Sequence, residues 1–217
     1  MGLKIVADSL FDLNDELKEF IDPIIVPLKI SLGERHLVDD DTLDRMELLR
    51  LLKEYPGSPK TASPSPFDFM IAYEESKADE VYCITCSSKL SASYNHAMLA
   101  KELYFEKTKD KIINVFDSLT ASGGQTLIGL KILELSNMNL NTDQVIEKIN
   151  TYIKEMKTFF VLESLDNLVK AGRINKVVAK VATVFSIKPI MEAEVDGSIK
   201  LCEKARGTKK ALKRLVE

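Results

Sequence analysis

The chain has 217 residues, of which 45% are hydrophobic and 29% charged, the balance of an ordinary globular protein with room for one full domain and a smaller second one. Its formal net charge is -3 and its sequence pI about 5.6, so no long-range positive field draws in a nucleic acid backbone, and nucleic acid is not expected as a partner. No apolar run reaches the roughly 18 residues that a membrane span requires.

In chain order, Lys4 to Ala7 predicts a strand that runs out into Asp8-Ser9. Nothing before it has the charged and then cleavable apolar character of a leader, so a cytoplasmic location is expected. Ile24 to Ile30 predicts a second strand, and Leu48, Leu49 and Leu52 mark a helix. The segment Lys60-Thr61-Ala62-Ser63-Pro64-Ser65 is rich in hydroxyls. Ser65 reads as a helix N-cap, with Pro66 at the first helical position and Asp68 completing a capping-box pattern. Capping alone does not account for Thr61.

Val81 to Cys86 predicts a buried strand that enters a second hydroxyl-rich stretch, Ser87 to Tyr94. Cys83 and Cys86 have the spacing of a redox or zinc knuckle, yet positions three apart on a strand face opposite sides, which favours a structural role. With Cys202 the cysteines are odd in number, against a disulfide framework. Ile112 to Phe116 predicts a strand ending in Asp117-Ser118; Ser122-Gly123-Gly124 reads as a place of close helix packing, and Ile128, Ile132 and Leu135 mark the helix that follows. From residue 158 the texture becomes strand (Phe159 to Leu162), short helix, helix, then strands at Ile187 to Met191 and Ser198 to Leu201 around the turn signal Asp196-Gly197.

Helices alternating with apolar strands predict an α/β fold, a parallel sheet flanked by helices through about residue 155, followed by a smaller α+β domain. Three strands would then release their Asp/Ser clusters at one sheet edge, where open parallel sheets bind ligands. Taken singly, Ser9, Ser87 and Ser118 each read first as helix caps.

Neutral hydroxyls with helix N-terminal amides suit a carboxylate or a phosphate. No phosphate-loop, dinucleotide-loop or G-x-S-x-G pattern is present. The two histidines, His36 and His96, read as surface or packed residues, and Lys89 beside Ser88 is no evidence of a dyad. No metal spacing stands out. The expectation is binding with no catalytic residue, no metal and no cofactor.

Taken together and in order, Ala7-Asp8-Ser9, Val26-Pro27-Leu28, Lys60 to Ser65, Ser87 to Tyr94, Asp117-Ser118, Leu165 to Ile174 and Ile187-Lys188-Pro189-Ile190 resemble the DegV family of bacterial lipid-binding proteins along the whole chain. The resemblance implies a domain over residues 1–157 that carries the hydroxyl loops, and a second, tail-binding domain from 158 to 217, shorter and less complete than in the family. It implies one long-chain fatty acid, such as palmitate or oleate, held between the domains, its carboxylate bonded by Thr61 and Ser91 with Ser63, Ser88 and Ser93 nearby. It implies either that this chain is the non-catalytic binding subunit presenting the acid to a partner, the ATP-dependent subunit of a fatty acid kinase, or that it carries the acid in lipid metabolism. Arg173 and Arg206 are the candidate contacts to that partner or to an acyl phosphate.

Four positions depart from the family pattern: Ala7, Ala62 and the pair Ala92-Ser93 stand where a threonine, a serine and a Gly-Thr pair are usual. In Lys170-Ala171-Gly172-Arg173-Ile174 the first of two usual glycines is Ala171, leaving Gly172 to make a left-handed helix cap. The rival expectations are a small-molecule phosphotransferase or serine esterase, and a folded remnant that binds no lipid.

Overall fold

The computed structural model describes residues 2–174 and 187–217. A four-stranded parallel sheet has the order β2-β1-β6-β7, built from β1 (Leu3–Asp8), β2 (Ile24–Val26), β6 (Glu80–Thr85) and β7 (Ile112–Asp117). Alternate residues of its central strands feed two cores. Ile5, Ala7, Tyr82 and Ile84 pack with α1 (Asp15–Ile21), α5 (Gly123–Ser136) and α6 (Thr142–Glu155). Val6, Val81 and Cys83 pack on the other face with α3 (Pro66–Glu75) and α4 (Ser93–Lys107). Burial on both faces is why these strands read as unbroken apolar runs.

The helices form where sequence supplies both a cap and a stripe. Ser65 and Asp68 make the expected reciprocal capping box at α3, with Pro66 at its start. Asn141 and Gln144 do the same for α6, whose Val145, Ile149 and Ile153 recur every fourth residue and are buried. Each such side chain contributes about 1.5–3 kcal/mol when fully buried. Ile149, at 0% exposure, is the one whose truncation to Ala would detach α6 most, at a cost of about 2–5 kcal/mol.

The single strand expected over Ile24 to Ile30 is two strands in two sheets. β2 stops at Val26 because Pro27 has no N–H for the ladder and the Leu28 amide donates instead to Ser9 Oγ at 3.1 Å. The chain then enters a small antiparallel sheet of order β4-β3-β5, formed by β3 (Lys29–Leu32), β4 (Arg35–Val38) and β5 (Lys60–Ala62). Leu48 and Leu52 fall on α2 (Arg45–Glu54), none of whose residues is buried.

A third sheet, antiparallel and of order β10-β9-β8, comes from β8 (Phe159–Phe160), β9 (Ile187–Ala193) and β10 (Ile199–Arg206). Its hairpin turns at Gly197, as expected, with φ of 83°. β8 is shorter than the run Phe159 to Leu162, and β10 extends past Leu201 through a bulge between Leu201 and Glu203. The short α7 (Asp166–Lys170) ends in a complete left-handed cap. Gly172 has φ of 71°, its amide donates to Val169 O at 3.0 Å, and the Arg173 amide donates to Leu168 O at 2.8 Å. The further helix expected before Ile187 lies outside the described residues. The chain closes with α8 (Thr208–Val216), which packs Ala211 against Ile190 and Ala205. Among the described residues no helix is long and apolar enough to cross a membrane.

Candidate functional site

β1 is followed in sequence by β2 on one side and flanked by β6 on the other, so the sheet reverses its winding between β1 and β6. That is where an open α/β sheet opens a crevice at its carboxyl edge. Asp8 ends β1 there, fully buried. One carboxylate oxygen accepts the Cys86 amide at 2.9 Å; the other accepts Gln125 Nε2 at 3.0 Å and the Leu10 amide at 3.3 Å. Burial pushes the Asp8 carboxyl above its ordinary value, against the bonds from Gln125, Cys86, Ser93 and Leu10 that pull it down.

Beyond β6 the chain winds into the second hydroxyl stretch. The Ser87 carbonyl accepts the amides of Leu90 at 2.9 Å and Ser91 at 3.1 Å, folding residues 87–91 into a tight loop. The Ser91 and Ser93 hydroxyls lie 2.9 Å apart, and Ser91 Oγ accepts the Ser93 amide at 3.2 Å. Ser91 thus sits at the mouth of α4, whose N-cap Ala92 makes no side-chain capping bond, leaving first-turn amides directed at the same place. Ser88 is half-buried and its amide donates to Asp117 Oδ1 at 3.1 Å.

The first hydroxyl stretch comes alongside α4 through His96. Nδ1 of His96 is 2.7 Å from Pro64 O and 3.2 Å from Ser63 Oγ. A carbonyl only accepts, so Nδ1 carries the proton and is not available to deprotonate Ser63. Thr61 is exposed on β5, opposite Ile30, and its side chain makes no hydrogen bond among the described residues. The structure therefore joins Ser63 to the α4 helix and Ser91 to Ser93, with Thr61 two residues before Ser63 on an open strand.

Next to the second loop lies a cleft of about 450 Å³ between the parallel sheet's helices and the third sheet, within the range of small-molecule sites. Its walls are mainly apolar: Leu90, Phe159, Phe160, Leu162, Leu168 and Ile199, with the start of α5 at Gly123 and Gly124. Gly124 is packed, since a Cβ there would stand 2.5 Å from Thr120 Cγ2, whereas a Cβ on Gly123 would meet nothing within 4 Å. The close-packing expectation thus holds for Gly124, while Gly123 borders the cleft. Thr120 and Thr158 bridge the two sides, their hydroxyls 2.8 Å apart.

Several sequence readings change at this edge. Ser9, Ser87 and Ser118 cap no helix: α1 is capped by Asn14, and Ala92 and Ser122 occupy the cap positions of α4 and α5. Ser9 donates to Asp39 at 2.7 Å, Ser87 to Gly197 O at 2.8 Å and Ser118 to Thr120 O at 3.1 Å. Ser9 and Ser87 cross-link separate segments and Ser118 closes its own turn, because each sits in the turn itself and the helix begins several residues later. Lys89 extends to Asp196 at 3.5 Å, and not to Ser88. Arg173 donates to Leu90 O at 2.8 Å and Ala171 O at 2.5 Å, and among the described residues its side chain makes no ion pair. Arg206 is exposed at the end of β10.

Cys83 and Cys86 are free and buried. Burial pushes the Cys83 thiol up to about 12 and the Cys86 thiol also upward, with the neighbouring Asp8 charge adding to it. Neither is a ready nucleophile. Among the described residues no group of three or more His, Cys, Asp or Glu could hold a metal ion.

The family model of DegV proteins matches residues 2–217. A DegV domain-containing protein of Streptococcus pneumoniae is 36% identical over 214 residues, 98% of this chain and 75% of that protein. Among solved structures, a DegV family protein of Ruminococcus gnavus with vaccenic acid superposes with TM-score 0.91 at 40% identity, over 98% of this chain and 76% of that one. The Fatty Acid Kinase (Fak) B3 protein of Streptococcus pneumoniae, loaded with linoleic acid, does so with TM-score 0.89 at 33% identity, over 99% of this chain and 76% of that one.

Proposed function

The chain belongs to the DegV family, and on that premise we propose that it binds one long-chain fatty acid, tail in the cleft and carboxylate at the hydroxyl loops. The observation that carries this reading is the apolar cleft lined in part by Leu90, one residue before Ser91. An acyl chain placed along Phe159, Phe160, Leu162, Leu168 and Ile199 gains about 0.8 kcal/mol for each methylene it buries. Ser91 and Thr61 then donate to the carboxylate, with Ser63, Ser88 and Ser93 around them and the first-turn amides of α4 facing the same charge.

In this reading the chain performs no bond-making step; it holds the acid for a separate ATP-using kinase subunit, a role supported by its likeness to the Fak B3 protein. Arg206, exposed and with a side chain that makes no hydrogen bond among the described residues, and Arg173, exposed beside the loop, are the cations offered to that partner or to an acyl phosphate. Extraction of lipid from the purified chain, with native mass spectrometry before and after incubation with palmitate or oleate, is the test. A bound acyl chain of one copy per protein is expected. Protein that carries none and takes none up would refute the proposal.

A further inference from the structure

Ser87 is a fully buried hydroxyl that neither caps a helix nor lines the cleft. It occupies the point where the second hydroxyl loop and the third sheet meet. Its Oγ donates to Gly197 O at 2.8 Å and accepts the Lys89 amide at 3.2 Å. Its carbonyl accepts the Leu90 and Ser91 amides, and its own amide donates to Thr120 O at 2.7 Å. Gly197 lines the cleft and is packed so closely that a Cβ would come 2.3 Å from Ser87 Oγ and 3.0 Å from Leu119 Cα. Two further bonds grip the same loop from the second half of the chain, Arg173 to Leu90 O and Lys89 to Asp196.

From this we infer that Ser87 is a positioning residue, whose bond to the Gly197 carbonyl couples filling of the cleft to the setting of Ser91 for the carboxylate. The inference rests on the fatty-acid reading above. When an acyl tail packs on Ile199 and Leu90, it fixes the hairpin and the loop together, because the Ser87 hydroxyl has one partner in each. The Ser91 amide is held by the Ser87 carbonyl, so the Ser91 hydroxyl inherits that placement.

The test compares palmitate with hexadecanol, which has the same tail and no carboxylate, on wild type, Ser87→Ala, Ser91→Ala and the double variant. Ser87→Ala should lower palmitate affinity about tenfold, the scale of one hydrogen bond to a charged group, and leave hexadecanol affinity nearly unchanged; added to Ser91→Ala it should cost little more. Equal losses for acid and alcohol, or fully additive losses, overturn the coupling while leaving the fatty-acid reading standing. Wild type that takes up neither ligand overturns both. A second measurement needs no variant: hexadecanol bound to wild type should slow hydrogen exchange at the Lys89 and Ser91 amides, and unchanged exchange there overturns the coupling even if Ser87→Ala does not fold.

Discussion

The Ser63 hydroxyl stands 3.2 Å from Nδ1 of His96, 33 residues further along. One imidazole thereby fastens the loop before α3 to the helix that starts at the other hydroxyl stretch, and the same nitrogen donates to Pro64 O. His96→Leu keeps the bulk and removes both bonds. A loss of about 1–2 kcal/mol in denaturant unfolding is expected from one unpaired, partly buried carbonyl, with faster hydrogen exchange across residues 60–65. An unchanged unfolding midpoint would show that the ring is not holding the loop.

Thr61→Ala combined with Ser91→Ala removes the two proposed donors to the carboxylate. Palmitate affinity should drop about 100-fold, for two bonds to a charged oxygen pair, with thermal unfolding of the unliganded protein close to wild type because Thr61 is exposed. Titration calorimetry reads the affinity. Wild-type affinity in the double variant would move the carboxylate to other residues.

Gly123 and Gly124 are adjacent and opposite in what surrounds them. Gly124→Ala drives a methyl into Thr120 and should destabilise the fold by about 1–3 kcal/mol. Gly123→Leu points a side chain into open space at the cleft, so the fold should hold while the amount of co-purifying acyl chain falls. Equal melting temperatures for Gly124→Ala and wild type would contradict the packing, and full acyl occupancy in Gly123→Leu would place the tail elsewhere.

Asp8 is held above its ordinary value of 3.8 by burial. The folded chain therefore binds this proton more tightly than the unfolded chain. The stability Asp8 contributes is fully present below the ordinary value and is lost as pH rises through the raised one. Asp8→Asn does not titrate, and Gln125, whose Oε1 lacks a partner among the described residues, can turn its amide to meet the new donor. The stability of wild type minus that of Asp8→Asn should fall with increasing pH from about 4 upward. Denaturant midpoints taken across that range decide it; a difference that rises with pH, or stays flat, contradicts the buried charge.

Much of the fold can be read from local residue chemistry. The parallel strands announce themselves by being apolar on both faces, the capping box at Ser65 by spacing, and the hairpin at Gly197 by its Asp-Gly pair. What escaped reading was set by distant partners. Pro27 marks the break between β2 and β3, but the Ser9 hydroxyl that takes the Leu28 amide lies 19 residues away. β5 is three residues long and has no apolar alternation to betray it; it exists because β3 offers an edge. The serines at the strand ends carry the same residue type whether they cap a helix, close a turn or cross-link two loops, and only the fold separates these roles. Thr61 and Ser91 rested on motif order, and the cleft beside Leu90 had no linear signature, since its walls come from segments between residues 90 and 199.

The bond from Ser87 to Gly197 spans 110 residues, which orders events during synthesis. A chain made from its N-terminus has every strand of the parallel sheet, and both hydroxyl stretches, before the hairpin exists. Until residue 197 is available the buried Ser87 hydroxyl lacks its acceptor and the loop lacks its outer wall. On the fatty-acid reading, the loop that carries Ser91 is thus finished late, after the sheet that bears it, and a nascent chain that lacks residue 197 would have its proposed carboxylate site not yet set.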